Sequence, residues 1–108
     1  MTARAIVDAI KGEAAFRFGV SVNEINGNSR KRPVARARQA SMAIALEKLK
    51  HASLESVGAM FSRDHTTVMY ARDITAQREQ EFSDYPAILD AMRDRADLER
   101  DFWSRVIA

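Results

Sequence analysis

Ser62-Arg63-Asp64-His65-Thr66-Thr67-Val68-Met69-Tyr70 is a polar cluster at the mouth of an apolar helix. Just before it runs a short apolar segment, Leu54 to Phe61, with Gly58 inside. Together the two predict helix, tight turn, helix. Asp64 suits the N-cap, because its carboxylate can accept from the free amides of a first helical turn. His65, Thr66 and Thr67 then fall on that first turn, and Arg63 falls in the connecting turn. In a helix-turn-helix these N-terminal residues reach base edges in the major groove. The side chains suit such contacts: Asp accepts from exocyclic amines, His exchanges hydrogen bonds with purine N7 and O6, and Thr offers a methyl and a hydroxyl. Taken alone, Asp-His-Thr-Thr is also no more than a helix cap followed by β-branched filler, so the rest of the chain has to decide.

The 108 residues are enough for one domain with its own core. There is no Cys, hence no disulfide and no thiolate metal site. His51 and His65 are too few ligands for a metal centre. No signal-type apolar region opens the chain and no run is long enough to span a bilayer. The expected location is cytoplasmic, at the nucleoid. Net charge is only +2, yet it is unevenly spread. Residues 1–27 are neutral, residues 28–72 carry +6 and residues 73–108 carry −4. A basic middle beside an acidic end is the asymmetry of a protein with one face against a polyanion.

Outward from the central stretch, every segment reads as helix or loop. Ile6, Val7, Ile10, Ala14 and Phe18 follow a 3.6-residue period over residues 3–18, and Gly19 suits the helix stop. Ser21-Val22-Asn23-Glu24 fits a capping box, with Val20 and Ile25 as its hydrophobic staple. Asn28-Ser29-Arg30-Lys31-Arg32 is a basic loop, either a solvated connector or an arm for a narrow A·T minor groove. Pro33 suits the first position of a helix running to about Lys50, with Met42, Ala45, Leu46 and Leu49 inward. Arg36, Arg38 and Gln39 lie near its start, where free amides and arginines together suit a phosphate. Asp64 to about Phe82 forms the second helix of the pair, with Val68, Ala71, Ile74 or Thr75, and Phe82 facing in. A last helix, about Ala87 to Ile107, presents Leu89, Met92, Ala96, Trp103 and Val106 on one side, widened by Ile88, Leu98 and Phe102. The predicted fold is all-α, one compact domain of about six helices.

Three stretches carry a family resemblance: Pro33-Val34-Ala35-Arg36-Ala37-Arg38-Gln39, Ser53-Leu54-Glu55-Ser56-Val57-Gly58 and Arg63-Asp64-His65-Thr66-Thr67-Val68. From about Ala3 to Phe82, roughly three-quarters of the chain, the sequence resembles the C-terminal DNA-binding domain of the bacterial replication initiator DnaA. The family signature at the last stretch reads R-D-H-S/T-T-V, and the first echoes the family's V-A-R-P-R-Q. The resemblance implies binding of double-stranded DNA at DnaA-box-like sites such as TTATCCACA, linked to replication initiation or its regulation. By it, Arg30 matches the minor-groove arginine, and Asp64, His65, Thr66 and Thr67 match the major-groove readers. Arg38, Gln39 and Arg63 match positions near phosphate. Arg32 and Arg36 belong to the same basic region, and Lys48 is a further phosphate candidate.

The sequence also departs from the family. Phe61-Ser62-Arg63 is one residue shorter than the family's turn and lacks its Gly-Gly. Ala37 and Glu55 stand where the family has Pro. The chain contains no G-x-x-x-x-G-K-S/T and no room for an ATPase module. The expectation is therefore a stand-alone reader without nucleotide cofactor, metal or catalytic centre. Asp64 and His65, as sequence neighbours, are not expected to face each other as an acid–base pair would. The alternative is a protein-interaction module that kept the fold and lost specific DNA binding. The final helix, residues 83–108, is an addition with Phe102 and Trp103 as a possible surface for a protein partner or self-association.

Overall fold

The computed structural model describes residues 2–107, with nothing but helices, turns and loops among them. The helices are α1 (Thr2–Phe18), α2 (Val22–Asn26), α3 (Arg32–Lys48), α4 (Leu54–Phe61), α5 (His65–Glu81) and α6 (Tyr85–Ile107). α3 is the axis of the domain and packs against each of the other five. Its composition allows this crowding. Ala37, Ala40, Ser41 and Ala45 are fully buried, and their short side chains let neighbouring backbones come close. The Ser41 hydroxyl donates to the Ala37 carbonyl at 2.8 Å, so its burial leaves no orphaned donor. α1 adds Ile6, Val7 and Ile10 to the core, α4 adds Val57 and Phe61, and α5 adds Val68 and Ala71. α6 lies along α1 and contributes Tyr85, Leu89, Met92 and Ala96.

Local chemistry sets most of the boundaries. Gly19 ends α1 in the left-handed region (φ 68°), where the Val20 amide can reach back to the Ala15 carbonyl at 3.0 Å. Both halves of the Ser21–Glu24 capping box are present on α2. A second box, formed by Ser53 and Ser56, opens α4. Pro33 is the second residue of α3, not the first; Arg32 precedes it, and the N-cap Lys31 provides no side-chain cap. α3 stops at Lys48, two residues short of the expected end.

The α4–α5 turn closes without the family's glycine pair. Ser62 takes the left-handed conformation itself (φ 54°, ψ 45°). The Arg63 amide donates to the Gly58 carbonyl at 2.8 Å. A Cβ on Gly58 would stand 2.5 Å from the Arg63 carbonyl oxygen, so the glycine inside α4 is what lets the turn fold back this tightly.

Several expectations need correction. Phe82 caps the end of α5 and stays partly exposed at the edge of the core, its ring between Arg36 and Tyr85. Of the alternatives Ile74 and Thr75, Thr75 is the one buried on α5, beside Val68 and Ala71. α6 begins at Tyr85, two residues earlier than predicted. Its inward stripe fades after Ala96: Trp103 is half-buried and Val106 is exposed, along with Leu98 and Phe102. No described helix is long and apolar enough to cross a membrane.

Candidate nucleic-acid interface

Asp64 is the N-cap residue of α5 by backbone conformation, yet its side chain makes no cap bond. The carboxylate accepts from the Thr66 hydroxyl at 2.9 Å instead. Its other oxygen lies 3.0 Å from Nδ1 of His65. This corrects the expectation that Asp64 and His65 stay apart. The rule that adjacent residues diverge holds within a helix, and Asp64 stands just outside one. The Thr66 hydrogen bond, followed by the contacts with His65, holds the Asp64 carboxyl below its usual range. The carboxylate therefore remains an acceptor throughout the neutral range. With Nδ1 engaged, Nε2 of His65 is the nitrogen left uncommitted. His65, Thr66 and Thr67 are all exposed, so the first turn of α5 presents an acceptor, an imidazole and two threonines side by side.

Behind this turn, Arg63 is half-buried and points inward. Its Nη1 donates to the Phe61 and Ser62 carbonyls at 3.1 and 3.3 Å, and its Nη2 to the Gly27 carbonyl at 2.7 Å. Arg38 is buried more deeply. Its Nε donates to Ile25 O (2.8 Å), Nη1 to Ser29 O (3.0 Å) and Nη2 to Glu24 O (2.9 Å). Burial, and after it the nearby Arg63, lowers the pKa of Arg38. Both guanidiniums expected at phosphates thus clamp the segment from α2 to the basic loop. The resemblance puts both residues near phosphate, and a sequence does not show where such long side chains end.

The clamped segment carries Arg30, Lys31 and Arg32, all exposed. None of the three uses its side-chain cation in a hydrogen bond or ion pair among the described residues, which leaves them available to an external anion. Through Arg63 and Gly27 the basic arm is joined to the turn that precedes α5. The remaining expected residues lie elsewhere. Arg36 stacks over the Phe82 ring, 5.1 Å from its centroid. Gln39 Oε1 accepts from Arg78 Nη1 at 2.6 Å. Lys48 pairs with Asp97 of α6 at 2.9 Å. The structure therefore joins the turn at 63–67 to the arm at 28–32, keeps Arg36 beside Arg32 at the end of the arm, and sets Gln39 and Lys48 apart. Arg78, Arg17 and Tyr85 escaped the sequence reading, since they become neighbours of the basic α3 start only once α5, α1 and α6 pack around it.

A short helix, a tight turn and a second helix with polar readers on its exposed first turn, flanked by a fixed basic arm, define a helix-turn-helix domain. Residues 7–74 match the family described as bacterial DnaA protein helix-turn-helix, and the chain belongs to it. Among curated relatives, it is 38% identical over 93 residues to the chromosomal replication initiator protein DnaA of Chromobacterium violaceum, covering 82% of this chain and 20% of that one. It is 38% identical over 88 residues to the protein of the same name from Francisella tularensis subsp. novicida, covering 78% of this chain and 18% of that one. The chain thus spans about a fifth of the length of the curated relatives it matches.

Proposed function

We propose that this chain reads double-stranded DNA at DnaA-box-like sites, in the initiation of replication or its regulation, and does so without hydrolysing ATP. Family membership supports DNA binding in replication initiation at the coarse level. The observation that carries the finer reading is the pairing of His65, Thr66 and Thr67, exposed on one helical turn, with a basic arm fixed to that turn through Arg63 and Gly27. In this reading the turn enters the major groove, with Asp64, His65 and the two threonines facing base edges. Arg30 enters the neighbouring minor groove, and Lys31 and Arg32 lie along phosphates. Gln39 and Lys48 are held by Arg78 and Asp97, away from the turn and the arm.

The test is a comparison of affinity for a box duplex and a scrambled duplex at fixed salt. His65→Ala leaves helicity and melting nearly unchanged, because an exposed side chain is removed. It lowers the ratio of box to scrambled affinity about tenfold or more, since a good base contact is worth about 1–3 kcal/mol. Equal affinity of the unmutated protein for the two duplexes would reject specific reading. That result would favour the second reading, an interaction module, which the exposed Glu55 on the first turn of α4 supports. An acid there repels phosphate if that turn faces DNA.

A further inference from the structure

The first part of α6 lies on the core through Tyr85, Leu89, Met92 and Ala96, and its last turns carry a second apolar row on another side. Leu98, Phe102 and Val106 follow one another at four-residue spacing, so they form a single stripe along the helix. They are 64%, 53% and 57% exposed. Single exposed apolar side chains are ordinary, whereas three in one row make a surface that gains by being covered. The Phe102 ring is already held edge-on against Trp103, at 5.4 Å between centroids, so covering it costs little side-chain freedom. This stretch lies away from the basic arm. Tyr85, at the start of α6, lines a cleft with Arg32 and Arg36, whereas Arg100 and Ser104 lie beside Leu49 and Lys50 at the other end of α3.

Charge beside the stripe says what fits it. At about 3.6 residues per turn, Asp101 and Arg105 fall on the same flank of the stripe. Both are exposed, and neither takes part in an ion pair or a side-chain hydrogen bond among the described residues. Laid antiparallel on the first, about a two-fold axis at Phe102, a second copy brings the two Phe102 rings together and sets each Leu98 against the other copy's Val106. Asp101 of each copy then stands next to Arg105 of the other. A parallel pairing sets Asp101 against Asp101 and Arg105 against Arg105, and like charges repel. The surface is therefore complementary to itself in one orientation, as an interface with two-fold symmetry requires.

We propose that this face binds a second copy of the chain, α6 against α6 and antiparallel, with Leu98, Phe102 and Val106 at the centre and two Asp101–Arg105 pairs at the edge. Three turns of helix make a smaller contact than the roughly 1,000 Å² of a stable interface, so the association is weak and exchanging. The association itself does not depend on the DNA-binding reading above. One consequence does: on a duplex carrying two boxes at a suitable spacing, the second copy is held at high effective concentration and the same contact makes binding cooperative.

Sedimentation equilibrium of the full chain without DNA, between about 1 μM and 1 mM, reads the association directly. The mass of the unmutated protein rises toward that of two chains across this range. Phe102→Glu stays at the mass of one chain, with helicity and melting unchanged, because the side chain it replaces lies outside the core. Asp101→Arg and Arg105→Asp, each alone, set like charges against one another and also shift the equilibrium to single chains. Mixed in equal amounts, these two variants restore the association, because each charge then meets its opposite. A merely adhesive apolar surface gives no such recovery. A mass of one chain throughout overturns the proposal and leaves the stripe to a different protein. An association that Phe102→Glu does not weaken overturns it too, and a mixture that fails to recover overturns the antiparallel pairing. With DNA, every variant keeps the unmutated protein's preference for a single box over a scrambled duplex, and Phe102→Glu loses cooperativity on two boxes. Equal affinity of the unmutated protein for box and scrambled duplex is a separate result: it overturns specific reading, while the sedimentation masses still decide the interface.

Discussion

Arg38 and Arg63 direct their guanidiniums into the molecule, onto six backbone carbonyls between them. A cation that neutralises a DNA phosphate steepens the salt dependence of binding by about 0.9 per contact, whereas a cation bonded to carbonyls does not. Arg63→Gln is therefore expected to leave the salt slope unchanged and still reduce affinity for the box, because the arm loses its tie to the turn. Combined with Arg30→Ala, its effect should be less than additive, since a misplaced arm has little left to lose. A slope shallower by about one in Arg63→Gln would return that residue to the phosphates. Arg38→Ala belongs to another class. It strips three carbonyls of their donor in a buried setting and should destabilise the fold by about 2–4 kcal/mol, read by thermal melting, before any effect on DNA is seen. Asp64 shows the same dependence on side-chain direction at the surface. Its carboxylate turns to Thr66 and His65, so Asp64→Asn should change base preference more than stability.

At the scale of elements, the α4–α5 pair depends on one close approach. Gly58→Ala places a methyl against the Arg63 carbonyl, a backbone atom that cannot rotate away. The expected cost is about 1–3 kcal/mol, seen as a lowered melting temperature, and box affinity falls as the turn is pushed out. A melting temperature equal to that of the unmutated protein would mean the turn relaxes freely. Helix positions are legible in the sequence because apolar side chains recur at helical spacing: Ile6, Val7, Ile10 and Ala14 mark the inner face of α1 without any tertiary knowledge. The capping serines and Gly19 mark boundaries by equally local chemistry. The start of α5 is legible too, although the Asp64 carboxylate that predicts it turns to Thr66 and His65 and caps nothing. What escapes is whatever tertiary packing decides. A helical period puts Arg38 on a face and says nothing of a guanidinium several bonds further out. Phe82 looks like core until Arg36 offers its ring a cation. Ser62 gives no sign in sequence that it can take the glycine's backbone conformation.

At the scale of the whole molecule, charge is sorted into two regions with different tasks. Arg93 of α6 ties together Glu47 of α3 at 2.9 Å, Glu79 of α5 at 3.2 Å and Asp90 of its own helix at 2.8 Å. These three carboxylates hold the Arg93 guanidinium in its charged form and raise its pKa despite partial burial. Arg93→Gln should lower stability by about 1 kcal/mol and make melting less sensitive to salt, since a partly exposed network is screened by ions. With Arg38, Arg63 and Lys48 engaged inside the protein, Arg72 paired with Asp73 and Lys50 past the far end of α3, the proposed reading leaves about four cations of the basic region for DNA: Arg30, Lys31, Arg32 and Arg36. The expected slope of log K against log salt is then about −3 to −4. A flat response would remove the electrostatic basis of binding. The packing of α6 along α1 carries a last consequence. The family model matches residues 7–74, yet Tyr85, Leu89, Met92 and Ala96 complete the interior. The unit that unfolds cooperatively is thus longer than the stretch that the family model matches. Progressive deletion from the C-terminus should be tolerated through the exposed Leu98, Phe102 and Val106. Once it removes Met92 and Leu89 it should abolish the melting transition in one step, although every residue proposed above to face DNA is still present.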